Sequence, residues 1–212
     1  MLVLASSSPR RSMLLDEWGY TFEIIMASVD EELPEEISPE RAVRELAMKK
    51  ALAGLNKRLE AGGSEDDVIL GADTVVVLDG RILGKPSGPQ EARAMLEGLS
   101  GRNHEVWTGV ALVSPSSGSE TTGICTMVNF RELLPGEIES YVLTGEPLDK
   151  AGAYGIQGGA AKFVSSVDGS YTNVIGLPME YLSERLAVWG IYPVDTELNE
   201  VEHESLSPKG LT

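Results

Sequence analysis

Short apolar runs alternate with amphipathic segments along most of the chain. Runs rich in apolar and β-branched residues predict strands, at residues 2–5, 21–27, 68–78, 81–83, 104–113 and 121–130. Helical spacing of apolar residues, often behind a proline in the first turn, predicts helices, at residues 9–18, 39–59, 89–96, 137–143 and 178–188. Alternating strands and helices indicate an α/β fold, and the Asp79-Gly80 hairpin turn makes its sheet a mixed one.

The last twenty residues break this pattern. From residue 193 the chain is polar and acidic and has no apolar periodicity. We therefore predict one domain over residues 1–192 and an acidic, flexible tail over residues 193–212. The second half of the domain reads as a lobe joined to the first, without a clean linker between them.

Composition and charge limit the classes of partner. The chain of 212 residues has 33 Asp and Glu against 17 Lys and Arg, a formal net charge of −16. A surface this acidic repels nucleic acid and anionic membranes, so we expect neither as a partner. A small polyanion remains compatible if the few basic residues are gathered at one place.

Cysteine content and hydropathy limit the cellular compartment in which the protein is expected. Cys125 is the only cysteine, which excludes an internal disulfide and disfavours a cysteine-based zinc site. The N-terminus has no basic region followed by a long apolar core, and no apolar stretch reaches the ~18 residues of a membrane span. These features predict a cytoplasmic protein.

The segment Ser6-Ser7-Ser8-Pro9-Arg10-Arg11 joins the first strand to the first helix. The free N–H groups and dipole at a helix start attract anions. Basic residues are unfavourable there for the helix itself, so Arg10 and Arg11 are explained by an anion bound at this point. Pairing of the two arginines with the acidic surface explains them equally well from this segment alone.

Two charged residues interrupt apolar faces. Lys50 falls in the apolar stripe of the helix at 39–59, where a lysine is costly unless its charge is used or its head reaches solvent. Asp73 lies in an apolar strand, on the face of Ile69, Val75 and Val77. A carboxylate there requires a cation or a strong donor, which favours a functional role.

Further charged residues are brought toward Asp73 by the hairpin. If the Asp79-Gly80 loop has two residues, Leu78 faces Arg81 and Lys85 falls opposite Thr74. We therefore predict that Lys85 lies near Asp73. The Asp30-Glu31-Glu32 cluster follows the second strand, and such clusters are either solvated or ligands for Mg²⁺.

The sum of these features is a set of basic side chains, at least two carboxylates and a helix N-terminus. This set suits a metal–polyphosphate complex and a water activated beside it. The two histidines, His104 and His203, and the absence of a G-x-S-x-G segment give no support for a serine or cysteine nucleophile.

The sequence resembles the Maf family. The resemblance covers nearly all of the chain before the tail, in several separate motifs that occur in the correct order. The matching segments are Leu4-Ala5-Ser6-Ser7-Ser8-Pro9-Arg10-Arg11, Leu70-Gly71-Ala72-Asp73-Thr74-Val75-Val76, Gly84-Lys85-Pro86, Leu99-Ser100-Gly101 with His104 and Thr108-Gly109-Val110, Ala151-Gly152-Ala153-Tyr154-Gly155-Ile156-Gln157-Gly158, and Gly169-Ser170-Tyr171 with Asn173-Val174-Ile175-Gly176-Leu177-Pro178.

The resemblance implies a nucleoside triphosphate pyrophosphatase that uses a divalent metal cation, Mg²⁺ or Mn²⁺. It also implies an elongated mixed β-sheet flanked by helices, two lobes with a cleft between them, and a homodimer. By motif position it implies Asp73 as the proton acceptor and Arg10, Thr74 and Gln157 as specificity positions. We predict that Ser8, Arg11, Lys50 and Lys85 contact phosphate, and that Glu31 and Asp73 hold the metal.

The substrate branch is implied by two positions. In the family, a branch acting on 7-methyl-GTP has an aromatic residue at the position of Arg10 and an acidic one at that of Gln157. This chain resembles the branch acting on dTTP and UTP at both. One departure is Ala160, where the family usually has glycine; if that position needs a positive φ, alanine is strained there.

Two alternatives remain open at this level. The family is also associated with inhibition of septum formation, which a nucleotide-binding regulator without turnover would satisfy. The chemistry is also compatible with other non-canonical or modified triphosphates. Turnover of nucleoside triphosphates in the presence of Mg²⁺ separates the first alternative from the enzyme.

Overall fold

A seven-stranded mixed sheet forms the centre of the protein in a computed structural model, which describes residues 1–26, 28–32, 34 and 36–194. The strands are β1 Leu2–Leu4, β2 Phe22–Ile24, β3 Val68–Leu78, β4 Arg81–Leu83, β5 Asn103–Ser114, β6 Gly118–Phe130 and β7 Val164–Asp168. The helices are α1 Pro9–Glu17, α2 Pro39–Glu60, α3 Pro89–Leu99, α4 Pro135–Leu143, α5 Tyr171–Ile175 and α6 Met179–Val188. Short 3₁₀ turns occupy Glu146–Asp149, Ala151–Ala153 and Ala161–Phe163.

The strand order is β2-β1-β3-β5-β6-β7, and β4 pairs with β3. β1 runs parallel to both β2 and β3, whereas β3, β5, β6 and β7 form an antiparallel series. The predicted α/β class and mixed sheet are therefore confirmed. The two-lobed division of the domain stays a prediction.

The sheet separates two apolar layers because side chains alternate along each strand. Even-numbered residues of β3 pack in the large core. The same core contains residues of α1, α3, α4 and α6, among them Leu14, Leu96 and Leu182. Odd-numbered residues of β1, β3 and β5 pack in smaller clusters on the face that α2 covers. The two βαβ helices α1 and α2 thus lie on opposite faces of the sheet.

The observed limits of several helices and strands differ from the predicted ones. The strand predicted at residues 21–27 shortens to β2, and residue 27 lies outside the described part of the chain. β7 and the five-residue helix α5 were not predicted, since both are short and polar. In α2 the buried face includes Ala51 and Gly54 rather than Ala53, which is half-buried. The predicted tail lies outside the described residues from 195 onward.

Two glycines let α2 approach the sheet closely. A β-carbon added at Gly71 would lie 2.2 Å from the Ala47 carbonyl oxygen, and one at Gly109 would lie 2.1 Å from that of Val43. Both distances are far below van der Waals contact, so only glycine fits beneath the helix at these positions. The close approach brings the side chains of α2 to the middle of β3.

We expect Gly71→Ala to destabilise the fold by about 3 kcal/mol, because the added methyl group meets helix backbone that has no room to move. Urea unfolding followed by circular dichroism measures the change. Gly84→Ala is the matched control, since no atom lies within 4 Å of its added β-carbon, and it should change stability by less than about 0.5 kcal/mol. Equal effects of the two substitutions would contradict the close packing of α2.

Candidate active site

One edge of β3 has a gap in its pairing. β5 occupies the other edge along residues 69–77. On the open edge, β1 pairs with residues 68–70 and β4 with residues 76–78. Among the described residues, 71–75 therefore have no strand partner on this side. The serine-rich turn after β1 and the Gly84-Lys85 segment after β4 border this gap. The gap lies between β1, which leads into α1, and β3, which α2 precedes, and these two helices cover opposite faces of the sheet. Such switch points are where open α/β sheets bind ligands.

On the face toward α2, Asp73 and Glu31 converge on Lys50. The Lys50 Nζ lies 2.5 Å from Asp73 Oδ1 and 2.7 Å from Glu31 Oε1. The Lys50 and Asp73 side chains are only 14 % and 12 % exposed, whereas that of Glu31 is half-exposed. Lys50 and Asp73, whose charges are each unfavourable alone in an apolar face, therefore neutralise each other in the structure.

Glu31 lies in a positive environment. The hydrogen bond from Lys50, supported by the charges of Lys50, Lys85 and Arg11, holds the pKa of the Glu31 carboxyl below its ordinary value although partial burial opposes this shift. Lys85 thus approaches the same cluster. Leu78 faces Arg81 as predicted, and the β3–β4 ladder keeps this register up to its last pair, Val76 and Leu83, two residues before Lys85.

On the opposite face of β3, Thr74 contacts Arg11. The Arg11 side chain donates from Nη2 to Thr74 Oγ1 at 3.2 Å, from Nη1 to Ser6 Oγ at 3.1 Å and from Nε to the Gly176 carbonyl at 2.9 Å. Burial lowers the pKa of Arg11, and the nearby Asp73 charge opposes that shift. Arg11 is therefore fixed by protein acceptors and ties α1 to β3 and to the residue that ends α5.

Ser8 and Arg10 lie at the start of α1 as predicted. Ser8 is the N-cap residue, and its backbone N–H donates to Ser6 Oγ at 3.2 Å. Arg10 is half-buried and lies near Asp149: the Lys150 hydrogen bond chiefly lowers the pKa of Asp149, and the Arg10 charge adds to it. Arg10 therefore approaches the segment that leads into the glycine-rich loop.

Gln157 occupies the exposed tip of that loop. A turn closes around it through the hydrogen bond from Gly158 N–H to the Gly155 carbonyl, 3.1 Å long. The loop is joined to the gap in the sheet at its other end, where Gly152 N–H donates to the Gly84 carbonyl at 3.1 Å. Ala160 has a φ of −83° and is fully buried. Alanine is therefore unstrained at this position, and the departure from the family pattern costs the loop nothing.

The family assignment follows from comparison with known proteins. The sequence model of the family described as "Maf-like protein" matches residues 1–189. This chain belongs to the Maf family. The resemblance read from the ordered motifs is thereby confirmed.

Relatives in this family match over nearly their whole length. A "dTTP/UTP pyrophosphatase" of Desulfitobacterium hafniense is 56 % identical over 212 residues, which cover 100 % of this chain and 96 % of the relative. Proteins of the same name in Moorella thermoacetica and Pelotomaculum thermopropionicum are 50 % and 48 % identical, covering 90 % and 89 % of this chain and 95 % and 96 % of the relatives.

Thr108 and Asn173 extend the Maf site below Thr74. Neither was predicted from the sequence as a site residue. Thr108 Oγ1 lies 2.9 Å from Thr74 Oγ1 and donates to the Asn173 carbonyl at 2.9 Å. The Asn173 side chain is fully buried and donates to the Val106 carbonyl and to Thr126 Oγ1, each at 3.0 Å. Both residues lie in the family motifs, which was the available signal.

His104, also in a family motif, is part of the core. Its Nε2 lies 2.7 Å from Tyr154 Oη, and its ring stacks edge-to-face on Phe130. Burial lowers the pKa of His104 to about 4. The imidazole is therefore neutral near pH 7, and its role is to hold Tyr154 at the entry to the glycine-rich loop.

The carboxylates of this Maf protein fit a divalent cation. Asp73 and Glu31 aim one oxygen each at a single point, now taken by the Lys50 ammonium. No group of three or more His, Cys, Asp or Glu suited to a metal occurs within the described part of the chain. Mg²⁺ needs only one or two carboxylates when substrate phosphates complete its shell, so the donor set is sufficient.

Proposed function

We propose that this Maf protein is a nucleoside triphosphate pyrophosphatase that hydrolyses dTTP and UTP to the nucleoside monophosphate and pyrophosphate. The observation that carries the proposal is the convergence of Asp73, Glu31 and Lys50 beside a helix N-terminus, in a gap of the sheet. The names of the whole-length relatives support the same reaction and the same substrates.

The basic residues around the gap bind the triphosphate in this proposal. Lys85 and Lys50 supply ammonium groups, and the start of α1 supplies the positive end of the helix dipole beside Ser8. Arg11 contributes positive charge from a fixed position, since protein acceptors already hold its guanidinium. With phosphate and a divalent cation bound, Lys50 would keep at most one of its two carboxylate partners.

Asp73 accepts the proton of the attacking water. The oxygen of water bonds to the α-phosphorus, the bond between this phosphorus and the α–β bridging oxygen breaks, and pyrophosphate leaves with the bridging oxygen and its electron pair. The Asp73 carboxylate takes the proton that water loses, and the Lys50 Nζ lies 2.5 Å from its Oδ1 before the reaction. A Mg²⁺ or Mn²⁺ ion held by Asp73 and Glu31 would supply charge neutralisation on the phosphates and a more acidic bound water.

Base selection is assigned to Gln157, Arg10 and Thr74. A glutamine amide can accept from the N3–H of uracil or thymine and donate to an adjacent carbonyl. A 7-methylguanine ring carries positive charge, and a site for it would offer an aromatic face and a carboxylate. Arg10 and Gln157 offer neither, which favours the neutral pyrimidines.

We therefore expect kcat/KM to be highest for dTTP and UTP and lower by about tenfold or more for CTP, GTP and 7-methyl-GTP, because polar groups are left unpaired with the wrong base. A pyrophosphate-release assay over the five triphosphates measures this order, with Gln157→Glu alongside to move the balance toward the charged base. If 7-methyl-GTP were the best substrate of the unmodified protein, the branch assignment would be wrong.

The same proposal includes a homodimer in the cytoplasm. Nucleoside triphosphates are the substrates, and the cytoplasm holds their main pool. No helix within the described residues has both the length and the apolar character needed to span a bilayer. Sedimentation equilibrium at two concentrations tests the dimer, which requires twice the mass of one chain.

A further inference from the structure

The glycine-rich loop rests on three side chains that precede it in sequence. Added β-carbons at Gly155, Gly158 and Gly159 would lie 2.8 Å from Lys150 Cε, 1.9 Å from Glu146 Oε1 and 3.1 Å from Tyr141 Cδ2 respectively. The backbone of the loop therefore lies directly on these side chains. The φ of Gly158 lies outside the left-handed region, so the constraint at this position is the Glu146 carboxylate, which any added side chain would have to displace.

Glu146 is the centre of this contact. Its Oε2 accepts from the Gly159 N–H at 3.0 Å, and its Oε1 accepts from Tyr141 Oη at 3.0 Å. The Tyr141 oxygen in turn accepts from the Gly155 N–H at 3.3 Å. One carboxylate and one phenol thus hold the peptide groups on both sides of Gln157.

Packing and a hydrogen bond hold Tyr141 and Glu146 in place below the loop. Tyr141 is fully buried in α4 and stacks edge-to-face on Phe163 at 5.3 Å. Lys150 donates from Nζ to the Glu146 carbonyl at 2.7 Å and closes the 3₁₀ turn that carries the carboxylate. Burial and the Glu146 charge raise the pKa of Tyr141, so its hydroxyl remains a donor at all physiological pH values.

A fixed backbone matters for choosing a pyrimidine. Uracil and thymine present N3–H between two carbonyls, whereas cytosine presents an unprotonated N3 beside an amino group. A glutamine amide alone discriminates poorly between them, since a half-turn of the amide exchanges its donor and acceptor. Backbone N–H and C=O groups cannot exchange, so a loop with fixed peptide planes can reject the wrong edge.

We infer that Glu146 is a positioning residue which, together with Tyr141, fixes the Gly155–Gly159 loop so that its backbone selects uracil and thymine over cytosine. The inference rests on the proposed function, because it concerns how the proposed base site discriminates. Glu146 touches neither the reacting atoms nor Asp73. Its loss should therefore weaken base recognition and leave the chemical step largely intact.

Glu146→Gln should raise KM for UTP by about tenfold and change kcat by less than about threefold, since the amide has one acceptor oxygen for two donors, the Gly159 N–H and the Tyr141 hydroxyl. The UTP to CTP ratio of kcat/KM should fall by about the same tenfold factor. Glu139→Gln is the matched control, because its carboxylate lies on α4 in an exposed pair with Arg93. The control should keep wild-type constants.

A double-mutant cycle makes the test specific. Gly158→Ala alone should lower the UTP to CTP ratio as Glu146→Gln does, because the methyl group displaces the carboxylate. In a Glu146→Ala background the methyl group has room, so Gly158→Ala should then change the ratio by less than about twofold. Tyr141→Phe provides an independent variant that removes only the hydroxyl, and should lower the UTP to CTP ratio as well. Thermal melting confirms that each variant is folded.

Folded Glu146→Gln and Gly158→Ala proteins that retain the wild-type UTP to CTP ratio would overturn the inference and leave the pyrophosphatase proposal intact. Equal losses in kcat for both nucleotides would overturn it too, since they would show a role in folding or chemistry. A wild-type protein that turns over UTP and CTP equally would overturn the base assignment in the proposed function, and the inference with it.

Discussion

Asp73→Asn should lower kcat by between about 10²- and 10⁴-fold, the range expected when a general base is removed. Asparagine keeps the shape of the side chain but cannot take a proton, and it no longer neutralises Lys50 at 2.5 Å. Initial rates with UTP and saturating Mg²⁺ measure the loss, and a melting curve confirms that the variant is folded.

Asp79→Asn is the control for this substitution. Asp79 lies six residues further along the same hairpin, where its exposed carboxylate pairs with Arg102. Its φ of 51° is one that asparagine tolerates. We expect wild-type turnover from the control, and comparable turnover from Asp73→Asn would show that Asp73 is not the proton acceptor.

Lys85→Met and Lys50→Met should each lower kcat/KM for UTP by about tenfold to a hundredfold, which corresponds to one lost charge-assisted phosphate contact. Methionine keeps most of the aliphatic stem and removes only the charge. The larger loss should follow from Lys50→Met, because it also leaves Asp73 and Glu31 without their shared partner.

Lys162→Met is the matched control for charge. Lys162 is exposed and lies over the Phe163 ring, away from the gap in β3. Its loss makes the net charge more negative by the same amount without touching the proposed site. Unchanged constants in both Lys50→Met and Lys85→Met would place the triphosphate elsewhere.

Local sequence signals were sufficient for part of the fold. The Asp79-Gly80 turn has positive φ at both residues, 51° and 75°, and Leu78 faces Arg81, as a two-residue hairpin loop requires. The serine N-cap and first-turn proline placed the start of α2 at Pro39. Such signals are read within a few residues of where they act, which is why they succeeded.

Contacts between distant segments could not be read in the same way. Lys50 and Asp73 were each anomalous in an apolar face, but their ion pair depends on how closely α2 lies on β3. That distance is set by Gly71 and Gly109, whose role appears only when helix and sheet are packed together. The hairpin register was predicted correctly as far as the pair Val76 and Leu83, but the ladder ends there, two residues before Lys85, so the position of the lysine depends on the chain beyond it.

The support of the glycine-rich loop carried no sequence signal. Glu146 is one of many acidic residues, and its partners Tyr141 and Gly159 lie 5 and 13 residues away in chain segments of different structure. Glycine in a loop permits a positive φ or a close approach of the backbone to another group, and the sequence alone does not say to which group. The structure shows that at Gly158 the close approach is to the protein's own carboxylate.

The most direct test of the account is to identify the products of UTP hydrolysis by ³¹P nuclear magnetic resonance, with wild-type protein and Asp73→Asn side by side. The wild type should form UMP and pyrophosphate in equal amounts, and the variant should show almost no conversion over the same time. Formation of UDP and inorganic phosphate, or equal conversion by both proteins, would contradict it.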